Sequence, residues 1–178
     1  MDRISRDDYY MEMAKVAAQR ADCLGTKVGA VVIVEDRIVS TGYNGAPDGV
    51  TNCSDGGCPR CAARVEGEIK SGSDLDKCLC VHAEENAILS SARHGIALRG
   101  CVIYTTVQPC LGCLRQIIQV QAQKVFFVDT FPMDELTKKA YERLCDESKV
   151  VVERLNTNTS PQAVTVEDSL ESFQPSSD

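Results

Sequence analysis

Tyr9, Met13, Val16 and Ala17 recur at helical spacing behind Ser5 and Asp8, which predicts a capped helix running to about Arg20. A short run of β-branched and small apolar residues, Val28 to Val34, follows; after Glu35-Asp36 comes Arg37 to Tyr43, and together these read as a hairpin. From Asn44 to about Val81 the pattern is lost: Gly, Asp, Ser and Cys dominate and no hydrophobic period is sustained. A structureless loop of that length is unusual in a compact domain, so cross-links of some kind are expected there.

Beyond Val81 the periods alternate. Helix is predicted near His82 to Ser91, strand at Cys101 to Thr106, helix near Cys110 to Gln121, strand at Lys124 to Val128, helix at Met133 to Cys145 and strand at Val150 to Leu155. Strands alternating with helices indicate an α/β sandwich around a partly parallel sheet. The expected organisation is one domain over 1–155, followed by an acidic, disordered tail over 156–178.

Charge narrows the function. The net charge is −7, and the tail carries Glu167, Asp168, Glu171 and Asp178 with no Lys or Arg, which leaves −3 on the body. Long nucleic acid is bound largely through phosphate neutralisation by a broad basic surface, and none is present. There is no Trp to stack a strand either. No apolar run is long enough to span a membrane, and Met1 to Tyr10 lacks the order of a secretion signal, so a cytoplasmic protein is expected.

Ten cysteines then stand out. In a reducing compartment, clustered thiols bind metal or do catalysis more often than they form disulfides. One group is Cys110 and Cys113, in Pro109-Cys110-Leu-Gly-Cys113, each expected at the start of a helix, as is His82 in His82-Ala83-Glu84. One His and two Cys make three ligands, and a tetrahedral zinc held by three protein ligands keeps a fourth position for water. Helix N-termini favour the thiolate, Pro109 suits a first helical position, and zinc brings its water towards neutral pKa. Glu84, two residues past His82, is placed to relay protons beside the metal without ligating it.

The second group, Cys23, Cys53, Cys58, Cys61, Cys78 and Cys80, could knit the long loop together. Cys58-Pro-Arg-Cys61 has zinc-knuckle spacing; four of the six suffice for one closed structural zinc, and all six could hold two. Cys101 and Cys145 lie in apolar elements and are expected to pack as small hydrophobes. Glu85 reads as a first-turn acid, and His94 beside Gly95 as a helix-end cation.

His-x-Glu followed by Pro-Cys-x-x-Cys resembles the zinc-dependent nucleobase deaminases. Lys27 to Ile33, Thr41 to Pro47, Val81 to Ile88 and Gln108 to Cys113 extend that likeness over roughly Ile4 to Leu155. They resemble the cytidine deaminase superfamily and, within it, the deoxycytidylate (dCMP) deaminases; the cysteine-bearing insert ending in Cys78-Leu-Cys80 looks like fungal members. The resemblance implies a three-layer α/β/α fold with a mixed five-stranded sheet. It also implies conversion of dCMP to dUMP plus ammonia, supplying thymidylate synthesis, in a homo-oligomer, a hexamer, regulated by dCTP and dTTP. It assigns Asn44 to the substrate's sugar, although Asn before Gly is by itself a turn former. Arg93 matches a position used near the phosphate, with Lys27 and Arg64 as alternatives. A second metal near Cys23 and Cys53 is implied as well. The rival readings are a deaminase of a free base, a nucleoside or tRNA, and a non-catalytic zinc-binding regulatory module, which would have no use for Glu84.

Overall fold

A computed structural model describes residues 3–156, so the expected acidic tail lies outside the described residues from position 157 onward. Ser5 caps α1 (Arg6–Ala18), its hydroxyl accepting from the Asp8 amide at 3.1 Å. β1 (Gly29–Val34) and β2 (Arg37–Tyr43) form the hairpin. Both turn residues, Glu35 and Asp36, have positive φ, the geometry a two-residue hairpin turn demands, and the Tyr10 hydroxyl donates to the Asp36 carbonyl at 2.8 Å.

The second half gives α3 (Ala83–Arg93), β3 (Val102–Val107), α4 (Leu111–Gln119), β4 (Lys124–Asp129), α5 (Glu135–Ser148) and β5 (Val151–Arg154). The sheet order is β2-β1-β3-β4-β5, with β1 antiparallel to β2 and β3, and β3, β4 and β5 parallel. This is the mixed five-stranded sheet expected. β1 reads as an unbroken apolar run because it lies inside the sheet and both of its faces are covered. Val31 and Ile33 pack with Tyr10, Met11 and Ala14 of α1; Val32 packs with Ala87 and Ile88 of α3 and Ile117 of α4. Cys101 is fully buried in that second cluster, as a small hydrophobe.

Two glycines set how closely the helices approach. A Cβ on Gly29 would strike the Ala14 carbonyl of α1, and one on Gly42, on the opposite face, would strike the Ala83 carbonyl and lie 2.6 Å from the Ala87 amide of α3. Those obstacles are backbone and cannot swing aside. Gly42→Ala is therefore expected to destabilise the protein by about 2–3 kcal/mol, as overpacking does, and to push the first turn of α3 outward. Urea unfolding checks the first effect, and bound zinc per chain the second.

The segment between Asn44 and Val81 contains more regular structure than its sequence announces. It holds α2 (Pro59–Val65) and two 3₁₀ turns, Cys53–Asp55 and Leu75–Lys77. Gly45 and Val81 pair backbone to backbone at its base, at 2.9 and 3.2 Å. α2 escapes a periodicity search because it spans seven residues and buries only Arg60 and Cys61.

Candidate zinc site

Each of the three expected ligands sits at a helix start. His82 is the N-cap of α3; Cys110 is the N-cap of α4, its sulfur accepting from the Cys113 amide at 3.5 Å, and Cys113 lies in the first turn. α4 leaves the carboxyl end of β3, beside parallel β4, the edge where open α/β sheets gather ligands. His82 Nδ1 is 3.3 Å from the Cys110 sulfur and 3.4 Å from that of Cys113, and all three ligand atoms lie within 4.8 Å of one another.

The electrostatics of this trio are those of a cation site. The Cys110 thiol is pulled down to about 4, first by its hydrogen bond with Cys113 and then by His82. His82 is pushed up to about 9 by the hydrogen bond with Cys110. Cys113 is driven well above the ordinary thiol value by that same Cys110 contact and by burial. Three donors thus share protons at distances where a divalent cation would replace them, and one nitrogen with two sulfurs is a donor set that fits zinc.

Glu84 is 4 % exposed, in the first turn of α3 and against these ligands. Burial raises its carboxyl to about 7, so the group exchanges protons near neutrality. Glu85 points elsewhere and accepts from Gln116 Nε2 at 3.1 Å, tying α3 to α4. His94 forms the C-cap of α3, before Gly95 at positive φ.

His82, Glu84 and Cys110 line a cavity of about 120 Å³, whose wall includes Asn44, Arg64 and Phe131. Asn44 is buried: its side-chain oxygen accepts from the Val28 amide at 2.7 Å and its Nδ2 donates to the Thr26 carbonyl at 2.9 Å. These bonds fix the amide and leave one donor and one acceptor direction open.

Arg93 was expected near the substrate phosphate. It is exposed on the last turn of α3 and does not line the cavity. A helix rises ~1.5 Å per residue, and eleven residues carry Arg93 about 16 Å along the axis from His82. Lys27 is exposed and also lies outside the wall, whereas Arg64 is part of it, donating to Ser71 Oγ at 3.3 Å.

Two wall residues were not singled out from the sequence. Phe131 sits in the β4–α5 connection, and Gly72 packs against it: a Cβ there would be 2.6 Å from the Pro132 carbonyl and 3.3 Å from the Phe131 ring. The insert thus roofs the cavity. An aromatic residue just past the carboxyl end of a parallel strand was the available clue.

A His/Cys/Cys trio at two helix starts, a buried carboxylate beside it and a ring-sized hollow on an α/β/α sandwich define a metal-dependent deaminase type of site. The comparisons agree. Residues 4–129 match the model of the cytidine and deoxycytidylate deaminase zinc-binding region. The deoxycytidylate deaminase of Schizosaccharomyces pombe is 42% identical over 135 residues, covering 76% of this chain and 40% of the relative. That of Mycobacterium phage D29 is 40% identical over 131 residues, covering 71% of this chain and 97% of the relative. The crystal structure of dCMP deaminase from cyanophage S-TIM5, in complex with dCMP and dUMP, superposes with a TM-score of 0.65 at 26% identity, over 87% of this chain and all of that one.

The chain belongs to the cytidine and deoxycytidylate deaminase family, whose zinc-binding region it carries. It spans about 40% of the length of its two yeast relatives, from S. pombe and Saccharomyces cerevisiae.

Proposed function

We propose that the unit formed by residues 1–155 hydrolyses the exocyclic amino group of dCMP, giving dUMP and ammonia and so a precursor for thymidylate. The observation that carries this reading is the convergence of His82, Cys110 and Cys113 within 4.8 Å, with buried Glu84 opening into the same cavity. When bound, zinc supplies the Lewis acidity that makes water nucleophilic at neutral pH. The protein's own task is proton traffic. Glu84 takes a proton from the attacking water and delivers it to N3 of the ring, then takes the remaining proton from the hydroxyl now on C4 and passes it to the amine as the C4–N bond breaks and C4=O forms. Asn44, locked by Thr26 and Val28, presents its free amide directions to the sugar.

Arg64 is the proposed phosphate partner, since its guanidinium lies in the cavity wall and, among the described residues, its one hydrogen bond is to Ser71. A charge-assisted contact of about 1.5–3 kcal/mol corresponds to roughly 10- to 100-fold in affinity. Arg64→Gln is expected to raise KM for dCMP by that factor while leaving deoxycytidine turnover and zinc content unchanged. Equal losses on nucleoside and nucleotide would remove Arg64 from the phosphate.

The decisive experiment follows ammonia release from cytosine and adenine bases, nucleosides, monophosphates and triphosphates. Preference for dCMP is expected; release only from an adenine substrate or a tRNA would overturn the substrate, and none from any would favour a non-catalytic zinc module. The family resemblance also supports a homo-oligomer, a hexamer, that answers to dCTP and dTTP, and sedimentation with and without each triphosphate tests it. Among the described residues no helix is long and apolar enough to cross a membrane. The cytoplasm is the proposed location because clustered thiols placed to bind metal belong to a reducing compartment. At least one structural zinc in the cysteine-bearing insert completes the proposal.

A further inference from the structure

Six sulfurs of the insert and its neighbourhood form two overlapping quartets. Cys23, Cys53, Cys61 and Cys80 hold their sulfurs within 4.8 Å of one another, and so do Cys58, Cys61, Cys78 and Cys80. Cys61 and Cys80 belong to both. Cys23 with Cys61 and Cys58 with Cys78 at 3.7 Å, and Cys61 with Cys78 at 3.6 Å, are far beyond a disulfide, whose sulfurs stand about 2.05 Å apart. They match the edge of a thiolate tetrahedron: a Zn–S bond of about 2.3 Å gives sulfur–sulfur edges of about 3.8 Å.

The surroundings suit thiolates. The Leu24 amide donates to the Cys53 sulfur and the Gly25 amide to that of Cys23, both at 3.3 Å. The Arg64 guanidinium lies against Gly25, next to Cys23. One metal cannot use all six sulfurs. Placed in the first quartet it strands Cys58 and Cys78; placed in the second it strands Cys23 and Cys53. Cys53 and Cys58 are each fully buried, so either choice leaves a sulfur with no solvent beside a charged centre. Two separate centres are equally impossible, because the quartets share members.

The geometry points to a two-metal thiolate cluster in which two zinc-type divalent cations occupy edge-sharing tetrahedra. Cys23 and Cys53 are terminal on one ion, Cys58 and Cys78 are terminal on the other, and Cys61 and Cys80 bridge both. Six thiolates and two dications sum to a charge of −2, the same as one zinc with four thiolates, so the second ion adds cross-links without adding charge. The cluster joins the segment after α1, the Cys53–Asp55 turn, α2 and the chain entering α3, and it thereby fixes the Ser71 to Leu75 roof of the cavity. This inference rests on the reading of the insert as a structural metal site, and does not depend on deaminase activity.

Native mass spectrometry of the full chain, prepared in zinc, is expected to find three metals per subunit. Cys58→Ser with Cys78→Ser, and separately Cys23→Ser with Cys53→Ser, each leave one complete quartet and are expected to retain two. Should those variants fail to fold, the unaltered protein prepared with cadmium-113 gives a second reading: two cluster resonances split by mutual coupling through the bridging sulfurs. Two metals in the unaltered protein, uncoupled cadmium resonances, or iron with acid-labile sulfide would each overturn the cluster. A protein with three metals and no turnover would overturn the deaminase proposal alone, and an active one with two metals would overturn only the cluster.

Discussion

Glu84→Gln is expected to lower dCMP turnover by about 10³-fold or more while zinc stays bound. General acid–base catalysis by one group is worth ~10² to 10⁴, and here a single carboxylate serves both the attack on the ring and the loss of ammonia. The amide keeps the shape of the side chain and its place in the first turn of α3, but cannot carry a proton. Glu84 is buried against His82 and Cys110, and among the described residues no other carboxylate lines this cavity to substitute for it. Single-turnover measurement, with zinc per chain determined on the same sample, checks this. Turnover within a few-fold of the unaltered protein would end the proposed role.

The second large effect concerns order. Cys61→Ser removes the one helix-borne sulfur common to both quartets, and the segment from Asn44 to Val81 is expected to lose its structure while the sheet persists. The magnitude follows from comparing two numbers. Structural zinc contributes roughly 10–16 kcal/mol in small metal-folded peptides, whereas whole domains are stable by about 5–15 kcal/mol. The five buried residues of this cluster are cysteines alone, so no aliphatic core stands in reserve once the metal is gone. Hydrogen exchange should show Cys53 to Cys80 losing protection while β1, β3 and β4 keep theirs, and KM for dCMP should rise as the Ser71 to Leu75 roof opens. Retained protection would mean that the sulfurs pack as small hydrophobes, without metal.

Much of this architecture was legible in order along the chain. The alternation after Val81 marked every helix and strand within a few residues of where it lies, because the buried strands there are short runs of β-branched and aromatic residues and the segments between them carry helical spacing. The convergence of His82, Cys110 and Cys113, with Glu84 beside them, was legible for a different reason: a metal needs specific donor atoms, and helix starts supply a geometry suited to them. α2 and the two 3₁₀ turns were not legible, since they are short and packed around sulfur. Arg93, expected near the phosphate, lies outside this chain's cavity wall, because matching a sequence position says nothing of how far a helix axis carries its last turn from its first.

Local sequence settled which atoms are available: three donors and a carboxylate at helix starts, six further sulfurs in an insert without an apolar pattern, and strands whose burial follows from their β-branched runs. Only the tertiary structure decided which of them meet. It paired the six sulfurs into quartets sharing Cys61 and Cys80, brought Arg64 into the cavity and left Arg93 outside it, and set Phe131 opposite Gly72 across a gap of more than fifty positions. The physical reason is one of range. Caps, periods and ligand spacing are enforced by neighbours within a turn or two, whereas convergence depends on how helices and loops pack around a sheet that no short segment can specify.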